Sequence, residues 1–205
     1  YKKKMMNERR KIDNMVTLSA EYVESLRQSL VQGTDKTQLK NAIIHELNSR
    51  NAFIVAKSQL SPQQYGAALE SHIKAKFGWK PPIDNKSGDA TTESGAKIEI
   101  KVSVEDAKGG FNFVQIRPNH TVDYYLLVSY SIITDELIFL LCPKEEFLDV
   151  VVDHGQLAHG TKDADFEYKE FAYRPKMLGK IGSKGRSLWD AIAIWRVSEK
   201  ELHGT

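Results

Sequence analysis

The chain has one cysteine, Cys142, so it holds no internal disulfide, and a lone thiol suits a reducing compartment. No apolar run approaches the roughly 18–20 residues that a membrane-spanning helix needs. Leu137 to Cys142 is too short and reads as a buried strand. The opening residues, Tyr1 to Met6, have no apolar segment behind their lysines and do not read as a secretory signal. The sequence contains no P-loop, GxGxxG or HExxH motif, no repeat and no low-complexity tract. An integral membrane protein, a disulfide-stapled secreted domain and a Rossmann dinucleotide binder are thereby disfavoured. A cytoplasmic protein of a bacterial or archaeal cell is expected. Cys142 lies in an apolar segment and reads as core, not as a nucleophile.

What remains is a 205-residue chain with 41% hydrophobic and 27% charged residues, enough for one domain or one domain with an added lobe. The net charge of +2 says little, but its distribution says more. Residues 1–11 carry six basic side chains against Glu8, and residues 174–196 carry six against Asp190. Residues 121–170 carry eleven acidic side chains and only Lys144, Lys162 and Lys169. One basic surface opposed to an acidic back suits a polyanion binder; the plain alternative is an ordinary solvated surface.

Residues 1–60 read as a basic arm followed by a helical lobe, with amphipathic helices over 12–31 and 35–50. Ser61-Pro62-Gln63-Gln64 is a helix start with a capping box, and the helix should run to Phe77 and close at Gly78. Phe111 to Arg117 fits a strand or a short helix. Tyr124–Tyr130 and Leu137–Cys142 are expected to form a hairpin, apolar enough to be buried on both faces. Pro143 opens a helix through Val151, residues 165–173 should form a strand, and Ser187 caps a short helix to Ile194. This order predicts an α/β (α+β) fold, a mixed central β-sheet flanked by helices, with residues 61–205 as its core.

The informative stretch is Gly88 to Ser103. Thr92 ends one strand, Glu93-Ser94-Gly95 makes a three-residue turn with glycine last, and Ala96 opens the next. In that register Asp89 lies opposite Glu99, with Cβ atoms roughly 4.5–5.5 Å apart. Two opposed carboxylates repel unless a cation sits between them. Lys101, two residues beyond Glu99, shares their face, while Ile98, Ile100 and Val102 point to a core. The pattern predicts a metal site with a lysine beside it. The plain alternative is an amphipathic strand with a mixed-charge face.

The tripeptide alone carries little weight, because Glu167-Tyr168-Lys169 repeats it and Asp84-Asn85-Lys86 and Asp106-Ala107-Lys108 come close. Only Glu99-Ile100-Lys101 has an aspartate across a turn in matching register. His154 and His159 read as members of a polar loop.

The Gly-Asp strand, the turn, the Glu-Ile-Lys strand and a Glu-bearing helix upstream resemble the PD-(D/E)XK nuclease superfamily, nearest to type II restriction endonucleases, over residues 61–151. One position departs: Gly88 stands where the family has proline. The resemblance implies a restriction-endonuclease-like fold and a Mg2+-dependent nuclease, with Mn2+ as a substitute, that cuts double-stranded DNA at a specific short sequence as a homodimer. It assigns Asp89 and Glu99 as metal ligands, Lys101 as the catalytic lysine, Glu70 as a further acidic group near the metal, and Gln115 as a polar residue after the core strand. Lys108, Arg117, Asn119, His120, Lys176, Lys180, Lys184 and Arg186 are the expected DNA contacts, the last four in a basic, glycine-spaced loop. The rivals are a structure-specific repair, recombination or phage nuclease of the same fold, and a non-catalytic DNA-binding module.

Overall fold

The structure is a computed structural model, and it describes residues 60–205 apart from 107, 132, 133, 135 and 158–160. The basic arm, the two helices expected over 12–31 and 35–50, and so the N-terminal lobe lie outside the described residues. The chain divides into two units, Tyr1–His72 with Ile132–Asp135, and Ile73–Ser131 with Glu136–Thr205. Helix α1, Pro62–Phe77, belongs to the first as far as His72 and to the second from Ile73. Its start is the expected capping box: the Ser61 amide donates to Gln64 Oε1 at 3.0 Å and the Gln64 amide to Ser61 Oγ at 3.4 Å. Gly78 follows with φ 67°, a left-handed stop that glycine takes without steric cost.

The second unit is built on a mixed five-stranded sheet in the order β1-β2-β4-β5-β8, formed by Ala90–Thr91, Lys97–Val104, Tyr124–Ser131, Glu136–Pro143 and Arg196–Val197. β2 and β4 run parallel; the other neighbours are antiparallel. The parallel pair requires a long connection. It is residues 105–123, which include β3, Phe113–Ile116. β3 belongs to a second, antiparallel sheet, β3-β7-β6, with β6 at Gln156–Leu157 and β7 at Phe171–Tyr173. Helix α2 (Lys144–His154) follows β5 directly, helix α3 (Lys184–Ala193) precedes β8, and the short α4 is Glu199–His203.

β4 and β5 are apolar nearly throughout because both faces of the large sheet are covered. One face carries Tyr125, Leu127, Ile138, Leu140 and Cys142 under Phe147 of α2, Trp189 and Ile192 of α3, and Phe113 and Tyr173 of the small sheet. The other carries Ile98, Ile100, Leu126, Val128 and Phe139 against Ile73, Phe77, Trp79 and Leu202. Cys142 is buried on the first face, and burial pushes its thiol well up, as befits a core residue. Among the described residues no helix is long and apolar enough to cross a membrane.

Two local expectations shift. Of residues 165–173, only Phe171–Tyr173 is strand; Phe166–Tyr168 is a single 3-10 turn, closed by the Tyr168 and Lys169 amides on the Asp165 and Phe166 carbonyls. Phe166 and Tyr168 are both exposed, so no buried face enforces extension there. Helix α3 starts at Lys184, not after Ser187, whose hydroxyl donates instead to the Ser183 carbonyl.

Candidate active site

The hairpin has the register read from its turn. Ala90 pairs with Ile98 and Thr91 with Lys97, as the turn requires; the ladder becomes irregular just before Ala90, where the Asp89 amide donates to the Ile98 carbonyl at 2.8 Å. The turn closes through the Thr92 amide on the Ala96 carbonyl at 2.9 Å and the Gly95 amide on the Thr92 carbonyl at 3.1 Å, with Gly95 at φ 93°. Thr92 Oγ1 also accepts from the Ala96 amide.

Gly88 turns the chain away from β2 at φ 79°, a value closed to proline, whose ring fixes φ near −65°. A Cβ there would fall 2.5 Å from the Ile98 carbonyl oxygen and 2.7 Å from Val122 Cγ1. The departure at this position therefore follows from the local backbone. Since β1 ends there, the Ile100 amide lacks the next backbone carbonyl, and Asp89 Oδ2 accepts it at 2.8 Å. Asp89 thus continues the ladder with its own side chain and is half-buried at the strand edge.

Glu99 is buried in the middle of the face it shares with Tyr125. Its Oε1 accepts from Lys101 Nζ at 2.6 Å, and its Oε2 lies 3.0 Å from His120 Nδ1. An ionised carboxylate only accepts, so His120 Nδ1 carries the hydrogen of that bond. Burial pushes the Glu99 carboxyl up, but the hydrogen bond from His120 and the charge of Lys101 outweigh it and hold the group below its ordinary value. The ionised form is the one the site selects.

His120 reaches Glu99 because the turn that carries it is tied down. The Tyr125 hydroxyl donates to the Arg117 carbonyl at 2.8 Å, and the His120 amide bonds the same carbonyl at 3.3 Å. Burial, with Glu99 nearby, pushes the Tyr125 phenol up, so it stays a donor. His120 was expected in a DNA groove; it is buried against the carboxylate. The signal in the sequence was indirect: a buried glutamate needs donors, and His120 stands five residues before Tyr125, which β2 and β4 set beside Glu99. That neighbourhood follows only from the parallel pairing.

The remaining expected residues spread more widely. Glu70 lies half-buried on α1, within the first unit. Gln115 is exposed at a bulge in β3, with φ 57°, the one non-glycine residue of positive φ among those described. Arg117 is held by Glu170, Nε to Oε1 at 2.7 Å. Asn119 Oδ1 is buried without a hydrogen-bond partner among the described residues. Lys108 is exposed in a turn closed by Asp106, whose Oδ1 accepts the Lys108 amide. Lys176 is half-buried, Lys180 and Lys184 are exposed, and Arg186 is committed to Asp190 at 2.8 Å and to the Met177 carbonyl at 2.7 Å. His154 ends α2 and is exposed, while His159 lies outside the described residues.

Among the described residues no group of three or more His, Cys, Asp and Glu side chains is arranged to hold a metal ion. What the structure brings together is Glu99, Lys101 and His120, a carboxylate with a cation and an imidazole hydrogen on it, with the Asp89 carboxylate bonded to the amide of the next residue, Ile100. Compared with known proteins, the chain matches no protein-family model and no curated sequence.

Proposed function

We propose that the protein is a Mg2+-dependent endonuclease of double-stranded DNA, with a restriction-endonuclease-like fold and the action of a type II restriction endonuclease. The observation that carries the reading is the buried Glu99 carboxylate with Lys101 Nζ 2.6 Å from its Oε1, on the strand whose Ile100 amide is held by the Asp89 carboxylate at 2.8 Å. The order of α1, the β1–β2 hairpin and a crossover to a parallel β4 supports it.

The donor set fits the metal. Mg2+ favours hard oxygen ligands, keeps several waters and needs only one or two carboxylates. Each Glu99 oxygen accepts one hydrogen bond here and has a second lone pair. Asp89 and Glu99 would hold the ion, which lowers the pKa of a bound water and polarises a phosphoryl oxygen. Lys101 orients the attacking water and stabilises charge developing on the phosphate. His120 fixes the Glu99 carboxylate from its other oxygen. Glu70 and Gln115 belong to the proposal as a further acidic group and a polar contact, as do Lys108, Arg117, Asn119, Lys176, Lys180, Lys184 and Arg186 as DNA contacts. Action as a homodimer, which matches the two-fold symmetry of a palindromic site, and a cytoplasmic setting complete it.

One observation favours a second reading. Both Glu99 oxygens are satisfied within the chain, as a purely structural charge cluster requires. That would suit a DNA-binding module without catalysis. Plasmid DNA incubated with wild type, Glu99→Gln and Glu167→Gln, in Mg2+ and in EDTA, separates the two. Discrete fragments from wild type and Glu167→Gln, only in Mg2+, are expected. Binding without cleavage by the wild type selects the module, cutting confined to branched DNA selects a structure-specific nuclease, and unchanged cleavage by Glu99→Gln removes the site assignment.

A further inference from the structure

The segment between β7 and α3 is built as a closed loop with one apolar side chain at its apex. Its base is tied by the Lys176 amide on the Gly185 carbonyl at 2.7 Å and by Arg186 on the Met177 carbonyl at 2.7 Å. Met177 is buried beneath it. Its tip is a β-turn over Lys180–Ser183, closed at 2.9 Å, with Gly182 at φ 77° in the third position, where a type II turn demands positive φ. The second position, the outer corner of that turn, is Ile181, which is 88% exposed. A single exposed isoleucine ordinarily calls for no explanation. This one stands at the corner of a hydrogen-bonded turn between Lys180 and Lys184, both exposed. The nearest acidic residues in the chain are Glu170 and Asp190, and each is already bonded to an arginine.

We propose that Ile181 is an apolar wedge that enters between stacked bases of duplex DNA while Lys180 and Lys184 hold the adjoining phosphates. The inference rests on the DNA-binding reading above and adds to it a distortion of the substrate. Proteins that kink duplexes use aliphatic side chains for this purpose, flanked by cations on the backbone. Every charged side chain from 171 to 189 is basic, so the partner that suits this segment is a polyanion. A membrane surface is the less suitable polyanion, since even a whole myristoyl chain anchors only marginally and one isoleucine buries far less. Unstacking one base step needs only one wedge.

The test uses relaxed closed-circular plasmid, full-length protein and a metal-independent topoisomerase in EDTA, so that cleavage does not intervene. Wild type should shift the linking-number distribution, because partial unstacking unwinds the helix. Ile181→Ser should lose the shift while holding the plasmid on filters within about twofold of wild type, as expected for an exposed substitution. Ile181→Phe should keep the shift. The Lys180→Ala, Lys184→Ala double variant should bind more weakly, with a log–log salt slope smaller by about two. An equal shift by Ile181→Ser, or wild type bound without any shift, overturns the wedge and leaves DNA binding standing. Wild type that fails to retain plasmid at all overturns the underlying reading. Binding to anionic vesicles that Ile181→Ser loses, with no plasmid shift, assigns the loop to a lipid surface and also overturns the proposal.

Discussion

Glu-x-Lys occurs twice in this chain, and the two copies have opposite fates. At Glu99–Lys101 it lies in β2, where residues two apart share a face, so the ammonium meets the carboxylate at 2.6 Å and both are withdrawn from solvent. At Glu167–Lys169 it spans a 3-10 turn; Glu167 and Tyr168 are exposed, and the Glu167 carboxylate bonds the neighbouring phenol. The same side chains form an enclosed charge cluster in one place and solvated surface in the other. The difference lies in the strand geometry and in what covers it: the large sheet supplies Tyr125, and the turn before β4 supplies His120.

The largest difference should appear in stability. Glu99→Ala strands Lys101 and the His120 Nδ1 hydrogen in a buried site and should cost about 3 kcal/mol, whereas Glu167→Ala should stay within about 0.5 kcal/mol of wild type. Urea unfolding of both variants measures it; equal midpoints would break the comparison. A smaller, pH-dependent effect separates charge from packing. The Glu99 carboxyl is held below its ordinary value of 4.5 in the folded state. Its ionic contribution is therefore complete above that value and is lost as pH falls through the lowered folded value. The stability gap between wild type and Glu99→Gln should stay constant from neutral pH to about 4.5 and shrink below it. A gap that widens in acid would contradict the sign. The smallest effect concerns the exposed copy. The hydrogen bond and charge of Glu167 raise the Tyr168 phenol above 10.0, so Glu167→Gln should bring its titration back toward 10.0, read by phenolate absorbance. No change would mean that the exposed copy makes no lasting contact at all.

The hairpin was legible because its signals are local. The glycine-ended turn sets the register of Ala90 and Thr91 on Ile98 and Lys97, and strand alternation sets Lys101 on the same face as Glu99. The capping box at Ser61, the apolar pair β4–β5 and the helix after Pro143 were readable for the same reason. The 3-10 turn at Phe166–Tyr168 was not, since its aromatic, charged residues fit an exposed turn as well as a strand edge. His120 was visible as a residue but not as a partner of Glu99. Arg117 and Arg186 looked like cations awaiting phosphate, yet each has a carboxylate partner, Glu170 from 53 residues away and Asp190 from one turn along α3.

The sequence alone determined the local chemistry: which turn joins the two strands, which lysine shares a face with Glu99, and why Gly88 can occupy a backbone conformation proline cannot. Tertiary structure decided the environment of that chemistry. Only the parallel pairing of β2 with β4, across a 19-residue connection from 105 to 123, lays Tyr125 beside Glu99 and brings His120 over it. Turn registers depend on a few neighbouring dihedral angles, which residue types constrain directly. The partners of a buried charge depend on which distant segments pack above it, and no local pattern specifies those.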